Sequence, residues 1–424
     1  MRRKKFSFGL TAVAIVALVF GAAARATAQT EKVLFNFGLF SGTGYYTYAG
    51  VVRDSAGNLY GTTIGGGTHL QGTVYELSPN GSGGYVETIL HNFQRYDSTD
   101  GWRPVADVVL DASGNIYGTT SYGGTHNAGM VFELTPAGGG QWTETVLHNF
   151  AVTDGAGAGA LTMDAAGNLY GITGGGGKYA FGVVFELTRV NGGWVEKTLH
   201  DFNPHKGDGY YPQASLTLDA QGNLYGTTSS CHCFSYSNDG IVFELKHAGG
   251  GEWTEEILHS FVNDGVQGFN LQAGVIFDSA GNLYGATAEG GTARNNYCPS
   301  GCGTIFQLSP QTDGSWSQTT LHTFQNNNWD GSSPVATLAF DVAGNIYGTT
   351  GGGGAYNQGT VFKLTQSNGV WNQTIVHNFS GTFGRQTPDG GQPFAGVIFD
   401  PSGNMYGTTS TGGRVAGIVF EITP

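Results

Sequence analysis

Six histidines occupy one recurring place in the chain. His91, His148, His200, His259, His322 and His377 each sit in a phrase such as ILHNF or TLHDF. Imidazoles in register could form a metal array or a set of proton carriers. The seventh such phrase, VLFNF at 33–37, carries Phe35 instead, which can do neither. Hydrogen bonds that stitch structural units together are the better expectation, because buried polar groups find partners. A second set, Asp100, Asp154, Asp208, Asp264, Asp330 and Asp389, precedes glycine each time. These carboxylates could ring a channel mouth and hold a cation. Asp-Gly ahead of Pro104, Pro212, Pro334 and Pro393 is also ordinary turn chemistry, and turns are what we expect of it.

Other reactive groups are sparse. Cys231 and Cys233 flank His232, and Cys298 and Cys302 enclose Pro-Ser-Gly. In an exported chain these suggest disulfides. Cys298–Cys302 is the easy local pair, whereas Cys231–Cys233 would be strained. Bridges between the two loops, or a zinc site including His232, are the alternatives. No G-x-S-x-G, H-E-x-x-H or phosphate loop is present. A glycosidase needs two facing carboxylates; Asp97, Asp107, Asp239 and Glu289 stand outside the repeats, but nothing pairs them. His69, His126 and His205 lie in loops that a metal-dependent lyase could use. No catalytic residue, metal or cofactor is expected.

The elements that position these groups are repeats. D-x-x-G-N-[LIM]-Y-G occurs at Asp54, Asp111, Asp164, Asp219, Asp278, Asp341 and Asp400, a spacing of 53 to 63 residues. An apolar run such as VVFEL follows each one, an LHNF-like run usually comes next, and another apolar run such as GVIF precedes it. Short stretches rich in Val, Ile, Phe, Tyr and Thr between Gly, Asn and Asp are strands. We label them a (…VIFD), b (NLYGTT), c (GTVFEL) and d (W-x-E-T-I-L-H-N-F). Four antiparallel strands repeated radially predict an all-β, seven-bladed β-propeller over residues 29–424. VLFNF is a d strand with no partner before it, and GIVFEI near the C-terminus is a c strand with none after it. Pairing the two would close the ring and remove an open edge; a linear solenoid would need polar caps.

The phrases D-x-x-G-N-L-Y-G-T-T, G-T-V-F-E-L-T-P and L-H-N-F together resemble the tandem "GloVer" repeat of exported bacterial proteins, many of the choice-of-anchor type. The D-x-x-G-N-L-Y hairpin also resembles that of NHL-like propellers. The resemblance implies the propeller fold over residues 33–424 and no particular activity. With no sorting tail in view, release rather than anchoring is expected.

Residues present in every blade are scaffold. Asp54 and its equivalents should cap the a–b turn, since one carboxylate is too few for calcium. Tyr60 and its equivalents should pack between blades. Trp142, Trp194, Trp253, Trp316 and Trp371 share the start of strand d. The departures from symmetry lie in the d–a and b–c loops, which emerge on one face. They carry Trp102, Trp329, Tyr45, Tyr46, Tyr48, Tyr210 and Tyr211, and, from b–c loops, Tyr122, Tyr179, Tyr236 and Tyr356. Aromatics among Asn, Gly and Asp suit stacking on sugar rings, or a protein surface. A binding scaffold for glycan or protein is therefore the leading expectation, with a polysaccharide hydrolase or lyase as the alternative.

The chain opens with MRRKKF, an apolar stretch, and Ala26-Thr27-Ala28, the layout of a signal peptide over residues 1–28. Losing its five cations and no acid moves the formal charge from −13 to −18. Such acidity argues against nucleic acid and anionic membranes as partners. A secreted or periplasmic monomer, with no membrane insertion after cleavage, is expected.

Overall fold

The computed structural model describes residues 30–38, 42–95, 99–229, 239–327, 329–381, 389–413 and 416–424. The expected signal segment, and Cys231, Cys233, Tyr236 and Asp97, lie outside the described residues. The rest forms seven four-stranded antiparallel sheets, each ordered a-b-c-d. Blade 2 is representative, with a at Val109–Leu110, b at Ile116–Thr120, c at Met130–Gly138 and d at Gln141–Asn149. Blade 7 joins a, b and c at Ile398–Phe399, Met405–Thr409 and Ile418–Thr423 to strand d at Thr30–Asn36. The expected closure is thus the one observed, with Thr30 opposite Thr423 and Asn36 opposite Ile418. Among the described residues the one helical element is a 3-10 turn at Pro204–Lys206.

The repeated phrase explains the hairpin. Asp54 Oδ1 accepts the Asn58 N–H at 2.8 Å, and Oδ2 accepts from Asn58 Nδ2 at 2.8 Å and the Tyr60 hydroxyl at 3.3 Å. Both carboxylate oxygens are spent on the turn, and Gly57 supplies its φ of 92°. The next three residues, Gly-Thr-Thr, serve the core. The Thr62 hydroxyl donates to the Ala106 carbonyl of blade 2, and Thr408 donates to Ala49 across the closure between blades 7 and 1. Thr63 bonds Thr73 on strand c of its own blade.

A sevenfold aromatic ladder holds the blades together. The Phe ending each LHNF phrase packs on the strand-c aromatic of the next blade. Phe93 meets Phe132 at 5.3 Å, Phe379 meets Phe420 at 5.1 Å, and Phe37 meets Tyr75 at 5.1 Å. All six rings are fully buried. Each pair contributes about 0.5–1.5 kcal/mol beyond its area. The strand-b glycine makes room for the ladder, since a Cβ on Gly118 would lie 2.5 Å from Phe132 Cζ.

Candidate functional site

Five of the six histidines hydrogen-bond a side chain of the loop that leads to the next blade, and His148 lies 3.4 Å from Asp154 of that loop. In four of these clusters a strand-d glutamate of the next blade is the third member. His200 Nε2 lies 3.0 Å from Asp208 Oδ2 and 3.8 Å from Glu255 Oε2 of blade 4. Asp208 also accepts the N–H groups of Asn203 and Gly209, at 2.9 and 2.7 Å. His91–Asp100–Glu144, His148–Asp154–Glu196 and His377–Asp389–Glu31 repeat the arrangement, each with its ligand atoms within 4.8 Å of one another. The Asp-Gly carboxylates therefore cap turns, as expected, and in addition anchor the histidines. The acidic third member is a Glu four residues before the His of its own strand d, or before Phe35 in the case of Glu31, visible in W-x-E-T-x-L-H but not assigned a role from sequence.

Substitutions at the remaining junctions match hydrogen-bonding needs. His259 bonds Gln267 Oε1 at 2.8 Å, so Gln267 replaces the carboxylate there. Asp264, expected at this place, is displaced by three residues and accepts the Val266 and Gln267 N–H groups instead. Gln373 donates to Asp330 at 3.2 Å, at a place where five blades have Glu and blade 5 has Gln318. At the junction of blades 7 and 1, Phe35, Thr43 and Glu87 hold the places of the His, the Asp and the Glu. These clusters could offer three ligand atoms to a cation, but the exchange of acids for amides fits mutual hydrogen bonding.

Protonation follows from that packing. Burial raises Glu87, Glu196 and Glu31 to about 7, and Asp389 adds to the rise at Glu31. Burial, outweighing the His200 attraction, takes Glu255 to about 8. For His200, burial lowers the pKa, but the hydrogen bond to Asp208 and the field of Glu255 carry it above the ordinary value. Burial lowers His259, whose amide partner carries no charge.

The asymmetric site lies on the axis. A funnel of about 750 Å³ opens on the d–a/b–c face, bordered by Tyr48, Arg103, Tyr122, Gln213, Gln272 and Phe394. It continues into a channel of about 600 Å³ lined by the residues entering strand a of the blades. Each entering loop turns inward through a left-handed residue, whose side chain varies freely: Tyr46, Arg103, Gly157, Tyr211, Asn270, Ser333 and Gln392 have φ between 52° and 66°. Their N–H groups bond the preceding blade's b–c loop, as Arg103 to Gln71 at 2.9 Å and Tyr211 to Phe181 at 3.0 Å. Four loops also pair as short ribbons, including Gly101–Trp102 with Tyr122–Gly123 and Gly44–Tyr45 with Gly65–Gly66.

These ribbons decide what the aromatics can do. Trp102 stacks on Tyr122 at 4.5 Å, and Arg95 lies 4.9 Å over the same indole. The open surface of that pair belongs to Tyr122, which is 41% exposed. Across the funnel Tyr48, 44% exposed, stacks on Phe394 at 5.3 Å. Tyr45 and Tyr46 pack edge to face at 5.2 Å. Tyr210 is 1% exposed, in a cluster with Phe181 and Tyr211, so it anchors its loop. Tyr179 lies under Lys178 at 5.2 Å. Trp329, 83% exposed, and Tyr356 are open but do not border the funnel. Phe394 was not singled out from sequence, since it follows Pro393 in an otherwise apolar run.

Of the carboxylates outside the repeats, Asp239 accepts the Asn263 N–H at 2.8 Å and Glu289 accepts from Asn270 at 3.0 Å, both in loops. Among the described ones Asp107 alone faces the channel, where Oδ1 accepts the Gly50 N–H at 2.6 Å. Its side chain is exposed to the lumen, with the strand-a residues of the blades around it. The surrounding protein raises the carboxyl above the usual range, and the Gly50 N–H offsets the rise in part. Cys298 and Cys302 form a disulfide in a b–c loop, with Cα atoms 5.1 Å apart. No helix among the described residues is long and apolar enough to cross a membrane.

No curated protein matches the chain. Among solved structures, the extracellular domain assigned to a hybrid two-component system of B. thetaiotaomicron superposes with a TM-score of 0.55 at 12% identity. That match covers 92% of this chain and 39% of the other, so this chain spans about two-fifths of that protein's length. A luciferin-regenerating enzyme aligns with a TM-score of 0.46 at 14% identity, over 75% of this chain and 90% of its own. At these identities the likeness is one of fold. The family model for the Gloeobacter/Verrucomicrobia repeat matches residues 21–237 and 233–424, the same repeats that build the seven blades, and the chain belongs to that family.

Proposed function

We propose that this chain is an exported, non-catalytic propeller that binds glycan in the funnel of its d–a/b–c face. The observation that carries this is the pair of exposed rings, Tyr122 on Trp102 and Tyr48 on Phe394, bordering one funnel among amide side chains. A sugar ring presents C–H faces to such platforms and hydroxyls to Gln213 and Gln272. The Cys298–Cys302 disulfide supports an oxidising destination. The hydrolase alternative has less support, because among the described residues funnel and channel offer one carboxylate, Asp107, where a glycosidase needs two. The test is a glycan array probed with wild type, Tyr48→Ala/Tyr122→Ala and Trp329→Ala. Signals lost only in the double variant support the funnel, and equal signals from all three sink it.

A further inference from the structure

We propose that Asp107 recognises an ammonium group, so that the channel receives a glycan end bearing a free amino sugar. This rests on the glycan reading of the funnel above. Among the described residues Asp107 is the one charged side chain in the channel lining, and the equivalent places in the other blades are Gly50, Ala160, Ser215, Gly274, Thr337 and Gly396. Six blades fold without a carboxylate here, so the fold does not require one. Oδ1 accepts a single backbone N–H, from Gly50, and among the described residues no Lys, Arg or His pairs with the group. Arg103 borders the funnel rather than the channel and lies 5.8 Å over the Tyr122 ring.

A carboxylate in the lumen without a counter-charge attracts cations, and a cation entering the channel would supply the missing charge. The surroundings suit an ammonium with three donors. The hydroxyls of Ser215 and Thr337 and the amides of Gln213 and Gln272 line the same space. Tyr48 and Phe394 stand where the channel meets the funnel, and aromatic faces attract both cations and sugar rings. A hard metal ion fits less well, since it wants six or more oxygens with more than one charge among them.

The experiment is calorimetric titration of the full chain with a glucosamine hexamer, an N-acetylglucosamine hexamer and calcium chloride. Wild type, Asp107→Asn and Tyr122→Ala are compared. A charge-assisted contact predicts at least about a tenfold preference for the glucosamine hexamer, lost in Asp107→Asn. Binding of the acetylated hexamer should be unchanged in Asp107→Asn and weakened in Tyr122→Ala. Asp107→Ser, copying Ser215, gives the same readout should Asn disturb the Gly50 contact. Equal affinity of wild type and both Asp107 variants for the glucosamine hexamer overturns the proposal while leaving the glycan reading in place. Calcium binding that depends on Asp107, without sugar binding, makes it a metal site and overturns it as well. Binding of neither hexamer overturns both readings.

Discussion

Glu87 tests the account of the junctions most sharply. It lies on strand d of blade 1, at the one junction whose histidine place holds Phe35. No imidazolium is there to keep it ionised. One oxygen accepts the Gly44 N–H, while Oε1 is buried without a hydrogen-bond partner. Burial raises its pKa from 4.5 to about 7. A folded-state pKa above the unfolded one means that folding favours the protonated acid. The contribution is full below pH 4.5 and is lost as the pH climbs through 7. At about 1.4 kcal/mol per unit, ionised Glu87 costs the fold about 3 kcal/mol at pH 8 and under about 1 kcal/mol at pH 5. Glu87→Gln imitates the protonated acid and copies Gln318 and Gln373, which hold this place in blades 5 and 6. It should therefore stabilise the protein strongly at pH 8 and little at pH 5. Urea denaturation of both proteins at the two pH values reads this directly. A gain of equal size at both, or a loss at pH 8, would refute the reasoning.

Four further outcomes follow from the same geometry. Tyr75 replaces the strand-c Phe of the other blades and buries a hydroxyl with no partner, so Tyr75→Phe should stabilise by about 1 kcal/mol in thermal or urea denaturation. Asp208→Ala strips acceptors from His200, Asn203 and Gly209 and should cost about 3 kcal/mol. The pair His200→Phe/Asp208→Thr, which copies Phe35 and Thr43, should cost less than Asp208→Ala alone. Gly118→Ala drives a methyl into Phe132 and should cost about 1–3 kcal/mol, seen as a lowered urea midpoint.

The ring was legible because its information is local and repeated. D-x-x-G-N-L-Y fixes a turn within ten residues, and seven copies reveal both the blade count and the missing strand that the N-terminal segment supplies. The histidines were legible as stitches because Phe35 broke the chemical pattern. Their partners were harder to see. Glu255 reaches His200 only after two blades pack, and Gln267 replaces Asp264 as partner because its loop has a different length. The funnel was the least legible, since it gathers residues from several repeats that lie far apart in the chain. Tyr48 meets Phe394 only through closure of the ring, and Trp102, the conspicuous indole, is spent on supporting Tyr122. Asp107 could be seen to stand apart from the repeats, but not to stand alone on the axis.

The shared blade also sets an order in time. Thr30–Asn36 precedes every other described strand of the ring, its partner Ile418–Thr423 follows them all, and the Thr30 and Thr423 hydroxyls meet at 2.7 Å across a separation of 393 residues. Until Ile418–Thr423 has been made the earliest strand waits unpaired, and the ring stays open at both of its edges. Completion is therefore a single late event that certifies the entire chain. A product cut short anywhere leaves that first strand without its partner, exposed to proteases and to the edges of its neighbours.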